Sequence, residues 1–183
     1  MRNRYATSFI ACAALVLGIH DADASVKAKK PAVSFVAVGP AGLRIVGKTS
    51  ELSVVENASR IEVDVPLAHL ATGISLRDRH MREKYLEVGK YPVARLSIAR
   101  DALALPKSGG QKTGDAQGLL NLHGKTHPVT VHWEATRQAS GYAVRGTFHA
   151  NMRDFGINVP RYLGVTVKPD VAIEAKFIAQ ETK

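Results

Sequence analysis

The sequence has a single cysteine, Cys12, among 183 residues. One thiol cannot pair within its own chain, so a disulfide scaffold is excluded. Aromatic residues make up only 6%, and they do not interleave with basic strips as base stacking requires, so a nucleic-acid role has no support. No Gly-x-Gly-x-x-Gly, Walker loop, Gly-x-Ser-x-Gly or His-Glu-x-x-His occurs. Nucleotide cofactors, a hydrolase nucleophile elbow and a zincin-type metal site therefore lack motif support. Only the extreme N-terminus carries a long apolar run, which excludes a protein with several helical spans. What is present is 45% hydrophobic and 22% charged residues with a net charge of +9. That composition can bury the core of about one domain, and its charge favours anionic partners or surfaces.

Residues 1–24 read as a secretory signal peptide. Arg2 and Arg4 open it, an apolar stretch runs from Ala6 to Ile19, and Ala22-Asp23-Ala24 supplies small residues for cleavage after Ala24. Cys12 lies inside the apolar run rather than at its end, which argues against acylation. Residues 25–32 (Ser-Val-Lys-Ala-Lys-Lys-Pro-Ala) read as a flexible basic leader. The folded domain is then expected over residues 33–180.

That domain is dominated by period-two alternation. Ile61, Val63 and Val65 alternate with Glu62 and Asp64; Val129, Val131, Trp133 and Ala135 with Thr130, His132 and Glu134. Residues 142–150 and 171–177 repeat the pattern, and 33–38, 43–48, 52–56, 93–100 and 117–123 are weaker candidates. Ser108-Gly109-Gly110 and Ser140-Gly141 supply turns. About eight short strands with hairpin-scale connections predict an all-β fold, an antiparallel barrel or sandwich. Residues 73–90 break the rhythm. Ile74, Met81, Tyr85 and Val88 recur at helical spacing beside Asp78, with Thr72 or Ser75 as cap and Gly89 and Pro92 as stop.

The chemistry-bearing residues do not converge in the sequence. His123, His127 and His132 cluster, but His132 has the opposite strand parity to the other two, so they read as solvated or capping histidines. Asp78 and His80 are two apart on a helix and face differently. No metal site, cofactor or catalytic residue is assigned. A barrel of about eight strands, however, encloses either a filled core or one small ligand. Pattern alone supports both equally. Gly47, Gly146, Ala135, Ala150 and Ala175 on the apolar faces leave room for a hydrocarbon chain.

Three segments carry a family resemblance. The first runs Leu70-Ala71-Thr72-Gly73, Arg77-Asp78-Arg79-His80-Met81 and Lys90-Tyr91-Pro92; the second is Leu122-His123-Gly124-Lys125-Thr126-His127-Pro128-Val129; the third is Arg153-Asp154-Phe155-Gly156-Ile157. In order and spacing they resemble the YceI-like family of lipid- and polyisoprenoid-binding proteins. The resemblance implies a lipocalin-like barrel with a short helical insertion, located in the periplasm, holding an isoprenoid or similar amphiphile. Arg77, Asp78, His80, Gly124, Pro128, Asp154 and Gly156 are carried over as fold-specifying residues. Pro92 and Pro128 are expected at strand starts, and Asp78 is expected to be buried with hydrogen-bond partners. The N-terminal end departs from the family pattern: Pro31-Ala32-Val33-Ser34-Phe35 stands where an Asp-x-x-His-Ser opening is usual.

The expected function is sequestration or carriage of an amphiphile with a long apolar tail, an isoprenoid, quinone or other lipid-like ligand. The expected lining is Phe35, Ile45, Val63, Leu96, Trp133, Phe148 and Phe177, each on an apolar strand face. A packed structural or stress-response barrel without ligand is the first rival. An enzyme using His80 or Asp154 on an isoprenoid or quinone is the second. The Arg77–Lys90 region is a candidate for peripheral contact with anionic membrane, and a homodimer is compatible with the sequence.

Overall fold

Short alternating runs separated by glycine and proline turns can satisfy their backbone groups only by pairing edge to edge. The computed structural model describes residues 24–107, 109–162 and 165–180, and nearly all of its regular structure is antiparallel sheet. The strands are β1 (Ala24–Val38), β2 (Arg44–Thr49), β3 (Ser53–Glu56), β4 (Arg60–Pro66), β5 (Val93–Ala99), β6 (Gln111–Leu122), β7 (Lys125–Gln138), β8 (Gly141–Asn151), β9 (Arg161–Tyr162), β10 (Val165–Thr166) and β11 (Asp170–Gln180). A helix, α1 (Ser75–His80), lies between β4 and β5 and passes into a wider π-type turn, Met81–Tyr85.

Closure depends on β1. One edge of β1 pairs with β11; the other pairs with β3 at residues 24–26 and with β2 at residues 33–38. The remaining pairings follow the order β3–β4–β5–β6–β7–β8–β11, so eight strands form a closed antiparallel barrel with β2 laid against its rim. The expected all-β, lipocalin-like class is what the chain adopts. The small β9–β10 hairpin belongs to the β8–β11 connection and was not legible as strand.

The basic leader expected at 25–32 is instead the first half of β1, a correction with a clear cause. Lys27, Lys29 and Lys30 are solvent-facing, while Val26 pairs with Val54 on the inward face. A β-bulge between Lys29 and Ala32, with Lys30 at φ 49°, inserts one extra residue and shifts the inward set from even positions to Val33, Phe35 and Ala37. A parity change inside one strand hides its period. The signal-peptide reading lies outside the described residues.

The helix also differs from expectation. Residues 73–90 are not one helix; the helical part ends at Tyr85, and Glu87 takes a positive φ of 44°. Ile74 occupies the N-cap with no side-chain cap, because Thr72 is engaged elsewhere. Pro128 is the fourth residue of β7, not its start. It is tolerated because the β7–β8 ladder begins only at His132↔Thr147, leaving the first half of β7 paired to β6 alone.

Strand directions define two ends. The upper end carries the connections 39–43, 67–92, 123–124 and 152–169, including α1. The lower end carries the turns at 57–59 and 139–140 and the connection 100–110. Outside, cross-strand ion pairs tie the wall: Arg95 grips Asp64 through two 2.7 Å bonds, and Arg145 reaches both Glu174 (2.7 Å) and Glu134 (3.0 Å).

Candidate functional site

Directly paired residues share a face, so the registers identify the lumen. Val54 pairs with Val63, Val63 with Leu96, and Leu96 with Leu120. On the other side, Val33 pairs with Ala175, Ala175 with Gly146, and Gly146 with Trp133. Phe35 pairs with Ile173, which pairs with Phe148.

The lumen is filled unevenly. Against β5–β8, Ile98, Ala116, Leu120, Val129, Val131, Trp133, Ala135 and Ala150 pack with Phe155 and Ile157 from the β8–β11 connection into a buried cluster. Phe155 is 1% exposed. Toward β1, β2, β4 and β11, the inward residues Phe35, Ile45, Ile61, Val63, Val65, Ile173 and Phe177 are only half-buried. Four of the seven residues expected to line a ligand, Phe35, Ile45, Val63 and Phe177, are on this looser inward surface, while Leu96 and Phe148 face inward half-buried and pack against the buried cluster. The seventh, Trp133, faces inward but sits in the packed cluster, with its indole ring against Gly114 and no partner for Nε1 among the described residues.

Large inward side chains lie over glycines of neighbouring strands. A Cβ at Gly114 would stand 3.1 Å from the Trp133 ring, and one at Gly118 would stand 2.9 Å from Leu96 Cδ1. This large-against-small alternation fits bulky groups into a narrow barrel. At the lower rim, Glu56, on the face shared by Val54 and Ile61, pairs with Arg100. A groove of about 730 Å³ lies in the wall where the first half of β7 is not paired with β8, lined by polar residues such as Asp115, His132 and His149 and by apolar ones such as Val129, Phe148 and Ile173.

Two networks tie together the connections at the upper end. In the first, the buried Asp78 carboxylate accepts hydrogen bonds from Thr72 N (2.7 Å) and from the Thr72 hydroxyl. Arg77 Nε donates to Thr72 Oγ1 (2.7 Å) and its Nη2 to Thr72 O (3.0 Å). Arg82 donates to Leu70 O at 3.1 Å. Burial pushes the Asp78 carboxyl up, but bonds from the Thr72 side chain, Thr72 N and Gly73 N, aided by the Arg82 charge, prevail and hold it below 3.8. The Thr-Gly and Arg-Asp pairs thus form one folded unit, with Tyr85 and Leu86 brought onto the core cluster.

The second network was missed by the sequence reading. His123, at the tip between β6 and β7, places Nδ1 3.0 Å from Phe155 O and Nε2 2.8 Å from Glu87 Oε2. Its ring meets Tyr91 edge-on at 4.7 Å. The Glu87 carboxyl is held low, first by its bond from Lys90 and then by that from His123. Three connections distant in sequence meet here, and only the Leu-x-Gly hairpin motif hinted at it. Gly124 follows at φ 73°, with the Tyr91 ring where a side chain would go. Gly156 at φ 67° lies under the Lys125 amine.

His80 and Asp154 are exposed. His127 turns inward against Phe155, at 5.3 Å between ring centres, whereas His132 bonds to Asp115 (2.9 Å) and Thr113 (3.2 Å) on the outer wall. Among the described residues no group of three or more His, Cys, Asp or Glu side chains could hold a metal ion.

A closed antiparallel barrel, apolar within and capped at one end by a short helix, places the protein among lipocalin-like barrels. A family model for the YceI-like domain matches residues 24–179, and the chain belongs to that family. Over 124 residues it is 36% identical to the UPF0312 protein of Pseudomonas savastanoi pv. phaseolicola, a match covering 64% of this chain and 62% of that protein. It is 35% identical over 137 residues to a UPF0312 protein of Pseudomonas putida strain KT2440, covering 70% and 68% of the two chains. The chain thus covers less than two thirds of the first relative's length. A polyisoprenoid binding domain from Saccharophagus degradans superposes with a TM-score of 0.72 at 18% identity, covering 89% of this chain and all of that domain. BcnA of Burkholderia cenocepacia gives 0.66 at 16%, covering 82% and 97%. At these identities the two structures establish the fold.

Proposed function

We propose that this protein is a binding protein, exported to the periplasm, that sequesters or carries an amphiphile with a long isoprenoid-like tail inside its barrel. The carrying observation is the loosely filled inward surface around Phe35, Ile45, Val63 and Phe177 within a barrel closed by β1. An apolar chain threaded there gains roughly 0.8 kcal/mol per buried CH₂. The match to a family that includes a polyisoprenoid-binding domain supports the same ligand class. The signal-like pattern of residues 1–24 supports export. Native mass spectrometry of protein purified gently from its own host, followed by lipid extraction, tests the reading. A stoichiometric isoprenoid or quinone is expected, and its loss on Phe148→Asp in a folded variant assigns the lining. A clean apo mass that persists after incubation with candidate lipids overturns the proposal in favour of a filled barrel, the reading that the packing of Trp133 favours.

A further inference from the structure

Three large apolar side chains are exposed at the upper end: Leu43 (60%) in the β1–β2 turn, Ile74 (54%) at the start of α1 and Leu76 (55%) within it. Beside them in sequence stand the exposed cations Arg44, Arg79 and Lys84, and none of these makes an ion pair among the described residues. The carboxylates of the same connection largely do not neutralise them. Asp78 is buried and bonded to Thr72, and Glu87 is bonded to Lys90 and His123, which leaves Glu83 as the acid facing water.

From this juxtaposition we propose that the upper, helix-bearing end of the barrel docks on an anionic lipid bilayer. Separate apolar tips inserted among headgroups, ringed by unneutralised cations, are what an interfacial anchor requires. A bilayer accepts such tips without matching their shape, whereas a protein partner needs a packed counterface. The inference extends the lipid-carrier reading by naming the end of the barrel that meets the membrane, and it rests on that reading only for the purpose of docking.

Vesicle flotation of the full purified protein tests it, with phosphatidylcholine vesicles against phosphatidylcholine–phosphatidylglycerol vesicles. Binding is expected to the anionic vesicles and to fall as salt rises, a measurement that needs no variant. Arg79→Glu with Lys84→Glu is expected to weaken binding by at least about five-fold per cation removed, the equivalent of roughly 1 kcal/mol each. Ile74→Ser with Leu76→Ser is expected to weaken it as well, whereas Lys112→Glu at the lower end leaves it unchanged. Equal binding to neutral vesicles, equal loss with Lys112→Glu, or no binding overturns the proposal. Native mass spectrometry on the same samples reads cargo separately. Anionic binding by a cargo-free protein keeps the docking surface while removing the carrier reading, and a cargo-loaded protein that ignores vesicles does the reverse.

Discussion

The ring of Phe35 occupies the space where Gly47 would carry a side chain: a Cβ on Gly47 would lie 2.0 Å from Phe35 Cε1. The two residues are direct partners across β1 and β2, so β2 is held against the rim by an aromatic ring lying over a bare backbone. Gly47→Ala is therefore expected to expel the ring and destabilise the fold by about 1–3 kcal/mol, the range for overpacking. Urea unfolding of the variant checks this, and on a Phe35→Ala background, where the ring is gone, the same glycine change should cost little.

Gly146 offers the contrasting case. It also faces inward, but a Cβ there would meet only Val131 Cγ1, at 3.6 Å, an ordinary contact. Gly146→Ala is expected to cost less than about 1 kcal/mol. Gly146→Leu, by filling the lumen, should lower lipid occupancy in native mass spectrometry more than it lowers stability. Equal occupancy of variant and wild type would place the ligand elsewhere.

Asp78→Asn removes the charge that Thr72 N, the Thr72 hydroxyl and Gly73 N are arranged to bind. Hydrogen bonds to a charged group contribute about 1.5–3 kcal/mol, so a loss of that size is expected near neutrality. Because the folded carboxyl titrates below its ordinary value of 3.8, the ionised form stabilises the fold fully above the unfolded value. That contribution is lost as pH falls through the lower folded value. The stability gap between wild type and Asp78→Asn should therefore close in acid, as chemical denaturation over a pH series would show.

His123 presents both ring nitrogens to acceptors, the Phe155 carbonyl and the Glu87 carboxylate. The ring thereby ties the β8–β11 connection to the connection that follows α1. His123→Phe keeps a ring against Tyr91 but loses both bonds. It is expected to lower the unfolding midpoint by roughly 2–4 °C, the shift that about 1 kcal/mol produces at this size. Thermal unfolding of the variant beside the wild type checks this.

Much of the barrel was legible because its walls are one-sided: Ile61, Val63 and Val65 or Val129, Val131 and Trp133 state their face in plain alternation. The first half of β6 was not, because Gly114, Ala116 and Gly118 present small inward groups under Trp133 and Leu96 and so carry little hydrophobic signal. The extent of the helix was also misread. Of the residues expected on one helical side, Ile74 at the N-cap is exposed, while Asp78 is buried and Met81, Tyr85 and Val88 are half-buried, so the departure is at the two ends, where Ile74 precedes the helix and Glu87 breaks it. The inward residues Phe35 and Phe148 could be named from parity, but how loosely they pack depends on the neighbouring strands, which no local pattern records. The His123 network joins residues 87, 123 and 155 and has no local signature at all.

The bulge in β1 makes chain length, more than residue identity, the quantity that the strand must preserve. Before it, Val26 and Ala28 point inward at even positions; after it, Val33, Phe35 and Ala37 do so at odd ones. The strand is two half-rulers joined out of phase. Any of Lys27, Lys29 or Lys30 could be exchanged for another polar residue with little effect. Deleting one residue at the join would remove the bulge and leave one unbroken alternation with Val26, Ala28, Val33 and Phe35 still inward, whereas deleting one inside either half would turn part of that half to the wrong face. Closure of the barrel is in this sense a counting problem, solved at Lys30.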